Sequence, residues 1–130
     1  MALLRTNTGI GITNPSEALH VSGNILASGT VTANSDAKIK INIKQIDDAL
    51  DKVLSLRGVE YDRVDNGDHQ IGVIAQEVEK IIPEVVYPKF SNPDYEIKSV
   101  AYGNIVGILI EAIKELNERI DNLEEKIKEM

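Results

Sequence analysis

Residues 102–130 read YGNIVGILIEAIKELNERIDNLEEKIKEM, and their apolar side chains recur at spacings of four and three without a break. The pattern predicts one helix from about Ala101 to Met130 that carries a heptad seam. The a positions hold isoleucine: Ile113, Ile120 and Ile127. The d positions hold leucine: Leu109, Leu116 and Leu123. Such a strict stripe favours a parallel coiled coil over a helix packed only on its own domain.

Two opposing signals bear on the number of strands in that coil. Isoleucine at a with leucine at d favours two strands. The segment 119–124, RIDNLE, resembles an Arg-apolar-x-x-apolar-Glu motif of three-stranded coils. It places Arg119 at a g position and Glu124 at the following e position, where the two side chains can pair between parallel neighbours. The heptads alone leave both two and three strands open.

The first 34 residues have a different texture, rich in Gly, Thr, Ser and Asn. Alternating apolar residues predict strands at 9–12, 18–21 and 24–32, and Asn14-Pro15-Ser16 predicts a turn between the first two. Strands this short do not fold alone, and they pair most simply with copies of themselves. We interpret residues 1–34 as a β-rich segment that depends on other chains.

Residues 35–100 predict a small α+β domain. Apolar residues at helical spacing indicate a helix over 43–54 that stops before Gly58. The Asn66-Gly67 pair is typical of a tight turn between strands. The remaining expected elements are strands at 59–63 and 71–74, a helix over 75–82 ended by Pro83, and strands at 85–87 and 95–100. The fold class is therefore α+β, in three parts: 1–34, 35–100 and 101–130.

The composition excludes several kinds of chemistry. The chain has no cysteine, so disulfides and thiolate metal sites are absent. A net charge of −7 and a pI near 4.8 make it a poor binder of nucleic acid or anionic membrane. No apolar run approaches the roughly 18 residues that span a bilayer, and His20 and His69 lack metal-ligand spacing. We expect no metal, cofactor, nucleic acid or membrane among its ligands and partners.

One short polar stretch could carry chemistry. Residues 34–40, NSDAKIK, contain one serine and two lysines at the boundary between the first two parts. By themselves they are most simply a linker in which Ser-Asp makes a turn and the lysines are solvated. A serine and a lysine within six residues are a weak signal for a nucleophile and its base.

Three blocks of sequence, in order, change that interpretation. Residues 35–43, SDAKIKINI, resemble the Ser-Asp-x-Arg-apolar-Lys-x-Asn-Ile opening of the endosialidase-type intramolecular chaperone domain. The segments 69–86, HQIGVIAQEVEKIIPEVV, and 98–114, KSVAYGNIVGILIEAIK, are similar to that family's second and third blocks. Residues 9–23, GIGITNPSEALHVSG, resemble the stalk that precedes this domain in phage tail fibres and tailspikes.

The resemblance implies a function. Domains of this family sit at the C-terminus of homotrimeric phage fibres and tailspikes, bring three chains into register, help the β-rich stalk to fold and then cut themselves off. It implies a three-stranded parallel coil in an intertwined homotrimer, whose partners are copies of itself and the upstream stalk of the same polypeptide. Assembly would take place in the host cytoplasm; the stalk would remain in the virion, and the chaperone part would be released.

The resemblance also implies a site. The cut falls between Asn34 and Ser35, with Ser35 as the nucleophile and Lys40 as the general base of a single-turnover Ser-Lys dyad. Asp36 and His69 are expected to support their orientation. A lysine can act as a base when burial or nearby charge lowers its pKa. The expected trimer contacts are Leu109, Ile113, Leu116, Arg119, Ile120, Leu123, Glu124 and Ile127.

The sequence departs from the family at Lys38, where arginine is usual, and the two differ wherever a bidentate contact is needed. Two other functions stay open. One is a trimerisation and fibre-tip module that does not cleave, in which Ser35 and Lys40 are linker residues. The other is a receptor-binding adhesin tip, which the small aromatic content, four Tyr and one Phe, disfavours.

Overall fold

The computed structural model describes residues 6–88 and 97–130. Short strands alternate with helices along the chain, and the last element is a long helix. The mixed α/β content and the C-terminal helix confirm that part of the predicted fold class. The chain divides into two units, the first ending at Asn42 and the second spanning Ile43–Met130.

The described part of the first unit, residues 6–42, contains two three-residue strands, β1 (Thr8–Ile10) and β2 (Leu19–Val21). They pair with each other in parallel within one chain, with Thr8 opposite Leu19, whereas the sequence favoured pairing between copies. The predicted strand over 24–32 is wrong for the single chain, because these residues form no regular element. An amphipathic strand needs a neighbouring edge, and none of the described residues of this unit is buried.

The described strands of the second unit form two antiparallel pairs. The strands β3 (Val59–Asp62) and β4 (His69–Gly72) make a hairpin. Gly67 in its connection has φ +76°, a conformation that glycine adopts readily, and the predicted turn is confirmed. The strands β5 (Val86–Tyr87) and β6 (Ser99–Val100) form the other pair. Residues 95 and 96 of the predicted last strand lie outside the described residues.

Within the described residues, three α-helices accompany these strands: α1 (Ala49–Leu54), α2 (Ala75–Ile81) and α3 (Ile105–Lys128). The helix predicted over 43–54 is wrong in its first half, because Asp48 has φ +53° and this left-handed conformation prevents helical continuation toward the N-terminus. The 24 residues of α3 extend about 36 Å. None of the described helices is long and apolar enough to cross a membrane.

The core of the second unit is small and lies where α1 and α2 meet the first half of α3. No polar or charged residue of the described chain is buried in it. Its buried members are Ala49, Leu50, Val78, Ile82, Val85, Val86, Ile108 and Ala112. Ala112 is the most C-terminal residue of α3 in this core. The part of the helix after Ala112 therefore extends beyond the core.

Tyr102 joins the hairpin to the start of α3. The heptad pattern placed this residue on the seam, but it lies in a single 3-10 turn, Tyr102–Asn104, that precedes the helix. Its hydroxyl accepts a hydrogen bond from the backbone N–H of Val73 at 3.2 Å. A Cβ atom on Gly72 would lie 2.6 Å from the same hydroxyl oxygen, so glycine leaves the space that this contact needs.

Gly72→Ala and Tyr102→Phe should remove the same hydrogen bond and should each lower the free energy of unfolding by about 1 kcal/mol. Because one contact underlies both losses, the double variant should be destabilised by clearly less than their sum. Urea unfolding of the four proteins measures this cycle. Strictly additive losses would show that Gly72 and Tyr102 do not act through one contact.

Candidate functional site

A single 3-10 turn, Ala37–Ile39, shapes the stretch in which the sequence predicts chemistry. Asp36 precedes the turn, and its Oδ1 accepts a hydrogen bond from the backbone N–H of Lys38 at 2.8 Å. The backbone N–H of Lys40 donates to the carbonyl of Ala37 at 3.1 Å and closes the turn. A side-chain oxygen that caps the first N–H groups of a turn is the ordinary role of aspartate at this position.

The turn brings together the two side chains of the predicted dyad. Lys40 Nζ donates a hydrogen bond to Ser35 Oγ, and the two atoms are 2.5 Å apart. This separation is short enough for direct proton transfer between a nucleophile and its base. Both residues are exposed to solvent in the single chain. A serine hydroxyl and a lysine amine therefore lie within hydrogen-bond distance of each other, in a wet environment.

The predicted supporting residues have different positions. Asp36 lies next to the pair and holds the turn, as described above. His69 belongs to the second unit, where its Nδ1 lies 2.7 Å from Asp62 Oδ1. These two residues are directly opposite each other in the β3–β4 hairpin. The structure thus gives His69 a cross-strand partner and gives Asp36 the capping of the turn between Ser35 and Lys40.

Lys38, which replaces the arginine usual in the family, contributes its backbone N–H to the turn. The hydrogen bonds and ion pairs found for the described residues include none from its ammonium group. Among residues 6–88 and 97–130, no group of three acidic, histidine or cysteine side chains is placed to hold a metal ion.

The predicted contact residues of the C-terminal helix all lie on α3 and are exposed. The exposed fraction of the six a and d residues from Leu109 to Ile127 ranges from 42% at Leu109 to 67% at Ile113 and Ile127. We call these six residues the outer stripe: Leu109, Ile113, Leu116, Ile120, Leu123 and Ile127. Arg119 and Glu124 beside it have no ion pair within the part of the chain that the structure describes.

Two acidic residues of α3 that the sequence analysis passed over contact the rest of the second unit. Glu115 accepts hydrogen bonds from the backbone N–H groups of Ala49 at 3.1 Å and Leu50 at 2.7 Å. Glu111 accepts one from Gln45 Nε2 at 2.7 Å. This hydrogen bond is the main cause that lowers the pKa of Glu111, and Lys114 lowers it further. The sequence could have indicated this shared role, because residues four apart, such as Glu111 and Glu115, lie on the same face of a helix.

Residues 35–87, which begin at the Ser35–Lys40 pair, match a family whose short name, Peptidase_S74, places it among the peptidases. The family is described as chaperone of endosialidase, and the chain is similar to it over these residues. The resemblance found in the sequence is confirmed.

Relatives extend the likeness to most of the chain. The long tail fibre protein Gp37 of Enterobacteria phage K3 is 34% identical over 102 residues, which cover 75% of this chain and 8% of that protein. Gp37 of phage M1 is 31% identical over 116 residues, covering 80% of this chain and 46% of that protein. Myelin gene regulatory factor-like A of Dictyostelium discoideum is 37% identical over 93 residues, covering 60% of this chain and 10% of that protein. The chain spans less than half the length of these relatives.

Proposed function

We propose that the chain is an intramolecular chaperone that assembles as a parallel homotrimer, registers the β-rich stalk of a phage fibre and releases itself by cutting between Asn34 and Ser35. The observation that carries this proposal is the 2.5 Å contact between Lys40 Nζ and Ser35 Oγ at the start of the family segment. The fibre-protein relatives support a fibre-associated chaperone role. The stalk would stay in the virion after assembly in the host cytoplasm.

The outer stripe of α3 supports the assembly step. Six large apolar side chains at a and d spacing remain exposed along one face of a helix whose other face meets the core. Full burial of such a side chain contributes about 1.5–3 kcal/mol, and a contiguous apolar patch of this kind marks an interaction surface. Parallel packing with copies of α3 would remove the stripe from water.

Charge placement supports three strands over two. Arg119 lies at g and Glu124 at the following e, and both lack an ion pair within the described part of their own chain. They are available to a neighbouring copy, as the motif for three-stranded coils requires. The a and d residues by themselves favour two strands, so a dimer is the outcome that would correct this part of the proposal.

The proposed cleavage is an acyl transfer followed by hydrolysis. Lys40 Nζ takes the hydroxyl proton as Ser35 Oγ attacks the carbonyl carbon of Asn34. The Asn34–Ser35 peptide bond breaks, the proton passes to the departing nitrogen of Ser35, and an ester joins Asn34 to Ser35 Oγ. Water then hydrolyses the ester and leaves a carboxylate on Asn34 and a free amino group on Ser35. Each chain needs to react once.

Solvent exposure of the pair explains why assembly and cleavage would be coupled. Ser35 and Lys40 are exposed in the single chain, and water stabilises the charged form of lysine, which is not a base. A neighbouring copy packed over the turn would exclude water and favour the neutral amine. It could also supply donors for the developing oxyanion. Cleavage would then report a completed assembly.

Substitutions in the dyad test the chemistry. Ser35→Ala and Lys40→Arg should each slow cleavage by at least about 10²-fold, because one removes the nucleophile and the other keeps the charge but not the base. A denaturing gel separates fragments 1–34 and 35–130 from the 14.3 kDa chain. Lys38→Arg, which restores the usual residue of the family, is the matched control and should cleave. A single full-length band in every sample would contradict self-cleavage and favour the alternative function, a trimerisation module that does not cleave.

The turn at Asp36 gives a graded test. Asp36→Ala removes the acceptor for the Lys38 N–H and should slow cleavage about fivefold, the equivalent of a lost cap of about 1 kcal/mol. Asp36→Asn keeps an oxygen that can cap the turn and should cleave at a rate close to the parent. Equal rates for all three proteins would mean that the turn does not position Lys40.

Assembly is tested on the part of α3 beyond the core. Ile120→Glu places a charge at an a position, and the mass in solution should fall from three chains to one. Asn122→Glu adds the same charge at a c position, away from the seam, and should leave the mass unchanged. Sedimentation equilibrium measures both. An unchanged mass in Ile120→Glu would rule out the outer stripe as the assembly surface.

A further inference from the structure

The two strands of the first unit are related by a fixed advance along the chain. Thr8 lies opposite Leu19 and Ile10 lies opposite Val21, so each residue of β1 pairs in parallel with the residue 11 positions later. A further advance of the same length leads from β2 to the segment Thr30-Val31-Thr32. Valine and threonine are β-branched and favour strands. The sequence thus repeats, after β2, a segment suited to the same parallel pairing.

The outer edge of β2 is open among the described residues. The sheet of the first unit has two strands, β1 and β2. Ala18 and Ser22, on either side of β2, both make backbone hydrogen bonds to β1 at 2.8 Å. Backbone groups alternate in direction along a strand, so the N–H and C=O groups of Leu19 and Val21 point to the other edge. An open row of such groups is a template for one more strand.

The link between β1 and β2 has contacts that turn the chain back, whereas the link after β2 has none among the described residues. In the first link, His20 Nδ1 accepts a hydrogen bond from the backbone N–H of Ser16 at 3.3 Å. Residues 23–34 make no hydrogen bond with the described part of the chain, and residues 24–27 contain no turn or bend. Nothing therefore returns residues 30–32 to β2 of their own chain.

We propose that the open edge of β2 receives residues 30–32 of a neighbouring copy, so that each chain passes its third strand to the next chain. The inference rests on the parallel homotrimer of the proposed function and adds the contact by which the copies join in the stalk. Parallel copies run in one direction, as this pairing requires. Every copy advances by one strand between β2 and residues 30–32, so the exchange closes into a ring of identical contacts.

Reach and burial support this exchange. The link between β2 and Thr30 is long enough to extend about 26 Å, which exceeds the spacing of about 10 Å between packed sheets. Ile25 and Leu26 in this link are exposed in the single chain, and Val31 is 81% exposed. Pairing with a neighbouring copy would remove these side chains from water, which favours association.

Paired cysteines test the register, because the chain has no cysteine of its own. The register places Leu19 beside Thr30 of the neighbouring copy, at a separation that a disulfide can span. Leu19→Cys and Thr30→Cys are combined in a Ser35→Ala chain, which lacks the proposed nucleophile and stays whole. Mild oxidation should join at least about half of the chains into covalent dimers and trimers on a denaturing gel. Leu19→Cys with Val31→Cys is the matched control and should cross-link about fivefold less, since successive side chains point to opposite faces of a strand.

Mixing of single variants shows which chain supplies each strand. Leu19→Cys and Thr30→Cys chains refolded together should give a covalent dimer with one chain of each kind, and neither variant alone should cross-link. A disulfide that forms only within one chain would overturn the inference. So would a control that cross-links equally well, or an absence of cross-links in chains that sedimentation shows to be assembled. A solution mass of one chain would instead overturn the proposed assembly, and the inference with it.

Discussion

The structure depends on the contact between α1 and the inner face of α3. Leu50 and Ala112 are buried there, and Glu115 satisfies the first N–H groups of α1. Because the core is small and contains no buried polar residue among those described, few other interactions fix the position of α3. This packing leaves the opposite face of the helix, with its outer stripe, exposed.

Both units expose apolar residues that a folded single chain would normally cover. In the first unit no described residue is buried, and Leu26 is 95% exposed. In the second unit the outer stripe of α3 is open along its length. A chain with so little buried surface has little to offset the entropy of folding. Assembly with copies of itself, as proposed, would supply the missing burial and would bring water exclusion to Ser35 and Lys40.

The sequence predicted the elements whose determinants are local. The seam of α3, the Asn66-Gly67 turn and the end of α2 before Pro83 follow from spacing and backbone restrictions. The sequence-based prediction was wrong where a residue distant in sequence determines the local structure. Residues 24–32 form no strand because no strand edge lies beside them. The helix α1 starts at Ala49 because Asp48 is left-handed and Glu115 caps the helix from 66 residues away. The Ser35–Lys40 pair was found through resemblance, since the spacing alone was also typical of a linker.

The central claim is that assembly of copies through α3 completes the site at Ser35 and Lys40. The most direct measurement is the initial rate of cleavage per chain in freshly folded protein, followed over a dilution series that spans the assembled and dissociated states. The account predicts that the rate per chain falls steeply on dilution, together with the assembled fraction measured in the same samples. A rate per chain that stays constant while the assembly dissociates would contradict it.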